Sequence, residues 1–461
     1  MDSRTTRRVF MRAALAAGVA PAIIPAGAVR AQGGKPPPSG RLNLGIIGYG
    51  TMGSDHIGNF LQNEKVRVAA ICDPIASTTG YGYQAERTCG REPGVQRVND
   101  HYKNSDCKGF ADFREMLDLP GLDAVLVTSP DHWHATHAIY AARKKLHIYC
   151  QKALTYTIGQ GLALVREVAK AGVTFQTGSQ QRSDNYFRMA CEFVRNGYIG
   201  KLQKIEVRLP PHEPWGKKGD DLLETPLPVP ACYGDSGFDL WLGPAPKRPY
   251  IPKIHRPLIW RWNLDYSSGA VTDWGAHHFD IVQWALDTDA TGPVAIENIK
   301  CVLPDRNLLW NALHDYSFEF VYADGTRVSV MGNVPMGNTG ITFYGEGGKK
   351  IFVTRGKLET TPDDLIRTKL TDKDVHLYVS GQHERNFVEC CFSGKETITP
   401  CVVGHRSNTI GLLASTAMRL GLGRIGWDPK AEVFTGPKAE EANALAQIGP
   451  GGPALHNGWK I

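Results

Sequence analysis

With 461 residues, 42% of them hydrophobic and 21% charged, the chain is long enough for two domains that each bury a substantial core, and it has the balance of an ordinary globular protein. The formal charge of +6 is concentrated at the start: residues 1–31 hold Arg4, Arg7, Arg8, Arg12 and Arg30 against Asp2, so they carry +4 and leave +2 for everything after them. A body so near neutral, without a basic run, offers no electrostatic footprint for nucleic acid or an anionic membrane surface, and both partners are excluded.

The first element is a targeting segment. Thr6-Arg7-Arg8-Val9-Phe10-Met11-Arg12 opens it, the weakly apolar stretch Ala13–Val29 follows, and Val29-Arg30-Ala31 closes it. That order of charged, apolar and small-residue regions is the order of a twin-arginine signal peptide. Pro21 and Pro25 make the apolar stretch a poor membrane-spanning helix. Residues 1–31 therefore predict passage through the twin-arginine export machinery to a periplasmic or otherwise exported location, with no stable membrane insertion after processing. That route carries folded proteins, which suits a protein that binds a cofactor before it leaves. Residues 32–40, rich in Gly and Pro, read as a linker. The ten cysteines contain no C-x-x-C pair and do not suggest a disulfide framework. An oxidising destination permits one or two bridges, for instance Cys89 with Cys107, and most of the others read as buried small apolar residues.

From Arg41 onward, strand-like runs at Leu42–Gly48, Val66–Cys72, Ala124–Thr128 and Leu146–Cys150 alternate with helical patterns, which predicts a parallel sheet with helical crossovers. An amphipathic helix over 157–172, a short strand Val173–Thr177 and a helix Tyr186–Asn196 follow, and the nucleotide-binding unit is placed at 41–153. Beyond residue 200 the strands are longer and alternating: Lys204–Leu209, Ala295–Val302, Tyr316–Tyr322, Thr326–Val334 and Ile341–Tyr344. They predict a mixed sheet in a second domain over 154–430, followed by a polar, weakly patterned tail at 431–461. The stretch Pro210–Arg261, full of Pro, Gly and Trp, is long for a structureless loop and is expected to be functional.

Gly48-Tyr49-Gly50-Thr51-Met52-Gly53 supplies G-x-G-x-x-G directly after the first strand. Gly48 permits the tight turn, Gly50 lets a pyrophosphate approach the backbone, and Gly53 allows close packing of helix on strand. Phosphates then rest on the helix N-terminus at Thr51 and Met52. The second strand ends in Asp73, placed to accept hydrogen bonds from the adenosine ribose hydroxyls. NAD is favoured over NADP, because Pro74, Ile75, Ala76 and Ser77 offer no cation for a 2′-phosphate.

Three further segments carry a resemblance: Thr128-Ser129-Pro130-Asp131-His132-Trp133-His134, Tyr149-Cys150-Gln151-Lys152-Ala153-Leu154, and Asp273-Trp274-Gly275-Ala276-His277-His278-Phe279-Asp280. With the glycine-rich turn, they resemble the Gfo/Idh/MocA (glucose-fructose oxidoreductase, inositol dehydrogenase) family over about residues 41–430. The resemblance implies an α/β fold, with an N-terminal Rossmann dinucleotide-binding domain and a C-terminal α+β domain carrying an open mixed sheet, and a sugar or polyol substrate. The family's second segment usually reads Glu-Lys-Pro; here Gln151 and Ala153 flank the lysine. By resemblance Lys152 polarises the substrate hydroxyl, His277 is the general acid/base, and Asp273 is its orienting partner or a substrate ligand; lysine and histidine can exchange roles. Histidine, whose pKa is near neutral, suits the proton transfer. On one helix Asp273, His277 and Asp280 would share a face, and His278 reads as structural. Ser129 and His134 are placed beside the cofactor, with His134 facing its ring. His132, His134 and His137 are not read as a metal site, since no carboxylate or cysteine completes a shell. Trp241-Leu242-Gly243-Pro244-Ala245-Pro246, Trp215, Trp260 and Trp262 fit a sugar-binding surface or core packing equally. Family members associate through the open sheet, so a homo-oligomer is implied. The resemblance thus implies an NAD-dependent oxidoreductase that transfers hydride between a sugar or polyol secondary hydroxyl and nicotinamide, and two rivals stand beside that reading: a redox-neutral glycosidase or lyase acting through transient sugar oxidation, and a non-catalytic binding protein.

Overall fold

The computed structural model describes residues 40–81, 87–211, 225–255, 259–305, 308–313, 315–447 and 455–461. Residues 1–31, expected to be an export signal, all of the expected linker except Gly40, and Trp215 lie outside them. No helix among the described residues is long and apolar enough to cross a membrane.

Six parallel strands form the first sheet: β1 (Leu42–Ile47), β2 (Val66–Cys72), β3 (Lys108–Phe110), β4 (Ala124–Val127), β5 (His147–Cys150) and β6 (Phe175–Thr177). Their order is β3-β2-β1-β4-β5-β6. The central strands are continuous apolar runs because helices cover both faces; β4 and β5 are buried throughout. The crossovers include α1 (Thr51–Leu61), α2 (Asp131–Arg143) and α3 (Ile158–Ala171). Chain direction across the sheet reverses between β1 and β4, and the crevice beyond the carboxyl ends of these strands is where such sheets bind ligands. The first domain does not stop at residue 153, since α3 and β6 complete its sheet. A three-residue strand presents too few apolar positions to reveal its sheet from sequence.

The second sheet holds nine strands: β7 (Lys204–Arg208), β8 (Ala295–Cys301), β9 (Tyr316–Val321), β10 (Arg327–Met331), β11 (Gly340–Tyr344), β12 (Lys350–Thr354), β13 (Lys357–Thr361), β14 (Ile425–Asp428) and β15 (Val433–Thr435). They are ordered β13-β12-β11-β7-β10-β9-β8-β14-β15, and β7 with β10 is the parallel pair, so the sheet is mixed. Alternate residues such as Val207, Phe318, Phe320, Val330 and Phe343 pack into one core with Phe187 and Phe193 of α4 (Asn185–Arg195), Phe279 and Val282 of α5 (Gly275–Leu286) and Leu413 of α7 (Cys401–Arg419). The opposite face is polar, with the Tyr344 hydroxyl donating to Glu206 (2.8 Å) and Arg327 to Glu319 (3.0 Å). That face remains open.

Three expectations change here. The tail is not weakly patterned: β15 pairs with β14, a helix spans Ala439–Ala446, and residues 455–461 return to the first domain. The described part of Pro210–Arg261 contains short helices at Gly237–Leu242 and Pro252–His255 and has a core of its own, in which Tyr233, Phe238, Trp241, Ile254 and Trp260 pack with Ile75 and Tyr266. All ten cysteines are free, and Cys89 and Cys107 are buried without a bridge.

Candidate nucleotide and substrate site

The glycine-rich turn has the shape its spacing requires. Gly48 has φ +92°, and a Cβ there would sit 2.8 Å from the Ser129 nitrogen; at Gly53 it would sit 2.2 Å from the Gly48 carbonyl oxygen, so side chains are excluded at both positions. The α1 N-terminus has no capping side chain and no acidic residue in its first turn, which leaves the positive end of the helix for an anion. Asp73 is buried, with one carboxylate oxygen accepting from the Tyr49 N–H (2.8 Å) and the other from the Ile75 N–H (2.9 Å). Burial raises its carboxyl to about 6, against the pull of those two N–H groups and of Arg91.

Gly48, Gly50 and Asp73 line one pocket with Thr51, Met52, Ser129, His134, Gln151 and Lys152. Its far wall is the Pro210–Arg261 insertion, through Leu240, Trp241, His255, Trp260 and Arg261. The Trp241 carbonyl pins that wall to α2, facing His132 Nε2 (3.1 Å) and accepting from Trp133 Nε1 (2.9 Å). Residues 455–461 tie the same junction from outside. Asn457 donates to the Gly243 carbonyl (2.7 Å), the His456 N–H to the Pro244 carbonyl (3.0 Å), and Trp459 stacks on Phe113 (5.7 Å between centroids) and meets Trp133 edge-on (4.8 Å). The histidines of α2 are thus buried packing and hydrogen-bonding groups. His134 lies between the carbonyls of Ala153 (2.7 Å) and Ser129 (2.8 Å), joining two loops that line the pocket. Burial pulls its pKa down. No group of three or more metal-ligating side chains occurs among the described residues.

A second cavity, of about 900 Å³, opens beside the first and shares Met52, Gln151, Lys152 and Arg261 with it. Asp273, Trp274, His277, Trp262 and Arg355 line its other side. Lys152 Nζ forms a largely buried ion pair with Asp273, and Arg261 Nε approaches the same oxygen at 3.3 Å. Burial pushes the Asp273 carboxyl up, but Lys152 and Arg261 outweigh it and hold it at about 2. Asp273 therefore orients the lysine, not the histidine. Trp274 links the short turn Ala270–Asp273 to α5 with a helical backbone (φ −79°, ψ −32°); Asp273 and His277 line this cavity together, but Asp280 does not join them. His277 is buried, and its Nδ1 has no hydrogen-bond partner among the described residues. Burial, then the charges of Lys152 and Arg355, pushes its pKa well below the usual histidine range. Asp280 faces away from the cavity, paired with Arg182 through two contacts of 2.8 Å and accepting from Ser407 (2.8 Å).

The geometry thus joins a dinucleotide cradle to a cavity holding a lysine, a carboxylate and a neutral histidine. Comparison with known proteins gives the same answer independently. Residues 42–179 match the NAD-binding Rossmann fold of the Gfo/Idh/MocA oxidoreductase family, and residues 205–451 match its C-terminal alpha/beta domain. The chain belongs to that family. Among curated relatives, myo-inositol 2-dehydrogenase of Thermotoga maritima is 29% identical over 166 residues, 36% of this chain and 44% of the relative. A glycosyl hydrolase family 109 protein of Shewanella pealeana is 25% identical over 215 residues, 43% of this chain and 44% of the relative. The chain thus spans less than half the length of the curated relatives it matches. Among solved structures, the WlbA dehydrogenase of Bordetella pertussis in complex with NADH and UDP-GlcNAcA superposes with a TM-score of 0.58 at 16% identity, covering 84% of this chain and 99% of that one. At that identity the likeness is one of fold.

For a member of this family the residues to hold NAD are present: the glycine-rich cradle at Gly48–Gly53 and the carboxylate of Asp73. The sequence reading missed Arg91, whose guanidinium reaches the carbonyls of Asp73 (3.4 Å) and Pro74 (3.3 Å). It also missed Arg261 and Arg355, which come from an unpatterned loop and a hairpin turn, and no sequence signal marks either. Asp73 makes a testable statement possible. Its charged form is the better acceptor for ribose hydroxyls, and its pKa of about 6 means that it takes up a proton as pH falls through that value. NADH affinity, followed by fluorescence between pH 5 and 8, is expected to be flat at the alkaline end and to weaken by about tenfold at the acid end, the worth of one charge-assisted hydrogen bond. Asp73→Asn should bind weakly with no such dependence.

Proposed function

We propose that this family member is an exported NAD-dependent oxidoreductase that transfers a hydride between the carbon of a sugar or polyol secondary hydroxyl and the nicotinamide. The observation that carries the proposal is the junction of the two cavities: Lys152, held by Asp273, lies in the lining that they share, and buried His277 lines the second cavity with it. NAD, when bound, supplies the hydride acceptor. Lys152 donates a hydrogen bond to the hydroxyl oxygen, and His277, unprotonated at neutral pH, takes the hydroxyl proton as the carbon loses its hydride. Trp262 and Trp274 offer apolar faces to a C–H-rich ring. The targeting segment at residues 1–31 supports export, and the open polar face of the second sheet supports a homo-oligomer.

A redox-neutral reaction on the same groups has support of its own. The insertion forms one wall of the nucleotide pocket and is tied down by residues 455–461, an arrangement that favours a retained dinucleotide, and one relative carries a glycosyl hydrolase name. One experiment separates the readings: identify the nucleotide released by denaturing the purified protein, then follow substrate loss and NADH absorbance over a panel of polyols and glycosides. Stoichiometric NADH supports the dehydrogenase. Product without NADH supports the redox-neutral cycle. Absence of any bound or added nucleotide would leave a binding protein and overturn the proposal.

A further inference from the structure

Beside Lys152 lies a line of buried polar groups that the reaction above does not use. Glu384, in the first turn of α6 (His383–Ser393), accepts from His56 Nδ1 at 2.7 Å. His56 Nε2 meets the side-chain amide nitrogen of Gln151, and Gln151 Oε1 accepts from the backbone N–H of Lys152 at 3.2 Å. Glu384, His56 and Gln151 are each less than a tenth exposed. They come from three places: His56 from the helix that follows the glycine-rich turn, Gln151 from the end of β5, and Glu384 from a helix late in the chain. Phe387 and Val388 of that helix pack into the core of the first domain.

We propose that Glu384 and His56 are positioning residues for the reaction, fixing the orientation of Gln151 and through it the placement of Lys152; this rests on the role of Lys152 given above. The reason is the polarity of an amide. A glutamine has one accepting end and one donating end, and only the accepting end can satisfy the Lys152 N–H. The Glu384 carboxylate has no proton to give, so it holds the proton of His56 on Nδ1. Nε2 then presents a lone pair, which selects the donating end of Gln151 and leaves Oε1 for Lys152. Gly178 allows no slack, because a Cβ there would lie 2.6 Å from Gln151 Oε1. A glutamate at 151, the residue usual in the family, accepts at both ends and needs no such selection. The substitution to Gln151 is what makes Lys152 depend on Glu384.

A double-mutant cycle in the full chain tests the relay. Glu384→Ala is expected to lower kcat about tenfold while KM changes less than twofold. In a Gln151→Glu background the same Glu384→Ala change should cost less than twofold. An equal loss in both backgrounds means that Glu384 only supports the fold, and no loss in either overturns the relay outright. A readout independent of turnover accompanies it: amide hydrogen exchange at Lys152, measured by NMR, should quicken in Glu384→Ala and return to the parent rate in the double variant. If the parent protein shows no oxidoreductase turnover, the role of Lys152 fails while the exchange measurement still decides whether the relay exists. Should Glu384→Ala not fold, Glu384→Gln takes its place; loss of the single His56 Nδ1–H tautomer in its ¹⁵N spectrum is expected, and an unchanged tautomer would refute the relay.

Discussion

Replacing Lys152 by methionine is expected to lower kcat by about a thousandfold, within the range that a positioned acid–base group contributes, while the protein stays folded. The fold survives because Asp273, which loses its ammonium partner, keeps the Arg261 guanidinium at 3.3 Å and is not left as an isolated buried charge. The chemistry does not survive, because no other described donor among the residues shared by the two cavities has Asp273 as an orienting partner except Arg261, which stays protonated throughout. His277→Asn should cost a similar factor. Its pH behaviour separates the two roles. The wild-type histidine is held well below its usual range by burial and by the neighbouring cations, so it remains an unprotonated base through neutrality. The acid limb of kcat/KM for alcohol oxidation at saturating NAD should therefore fall below pH 6.5, the ordinary histidine value, and it should disappear in His277→Asn. Steady-state kinetics with NADH absorbance measures both. A limb at or above the ordinary histidine value would show that another group is the base.

The largest stability effect is expected from Arg182→Met. Arg182 is 2% exposed and contacts Asp280 and Asp289 through four hydrogen bonds of 2.7 to 2.8 Å. Asp280 is fully buried; burial drives its carboxyl up, and the guanidinium pulls against that. Taking away the cation leaves that charge without a partner in the interior, at a cost of about 3–5 kcal/mol. For a domain of this size that is a drop of roughly 6–20 °C in Tm by calorimetry. Arg182→Met combined with Asp280→Leu should recover most of the loss, because a paired charge replaced by matched apolar groups is close to neutral. If the double variant were as unstable as the single one, packing of Arg182 against the Trp284 ring, 5.1 Å away, would be the main contribution instead.

The parts of this molecule that were legible in the sequence are those where one residue type answers one local demand. Gly48 and Gly53 are legible because their backbone leaves no room for a Cβ, and Asp73 because it stands at the end of β2, a fixed distance past the turn. Lys152, Asp273 and His277 were found through the family's segments and do lie in one cavity wall. Their pairing was not readable. Asp273 and His277 line one cavity while Asp280 turns to Arg182, so a spacing that reads as one aligned face serves two separate sites. Asp280 illustrates the limit: it belongs to the same segment as His277, yet its partner Arg182 is nearly a hundred residues earlier in the chain. Arg261, Arg355 and Glu384 reach the site from a loop, a hairpin and a late helix. Nothing in the periodicity of those elements says what they face.

The return of residues 455–461 to Phe113 and Trp133 has a consequence in time. The strands of the first domain are complete by Thr177, but part of its surface is finished by α6 and by Trp459, close to three hundred residues later. At ordinary rates of translation that interval is roughly ten seconds to a minute. During it the nascent first domain lacks the cover that Trp459 gives Phe113 and Trp133 and that Phe387 gives the core beside β1. Folding on the ribosome therefore yields a sheet that can form early and a nucleotide site whose wall is tied down only once residues 455–461 have been made.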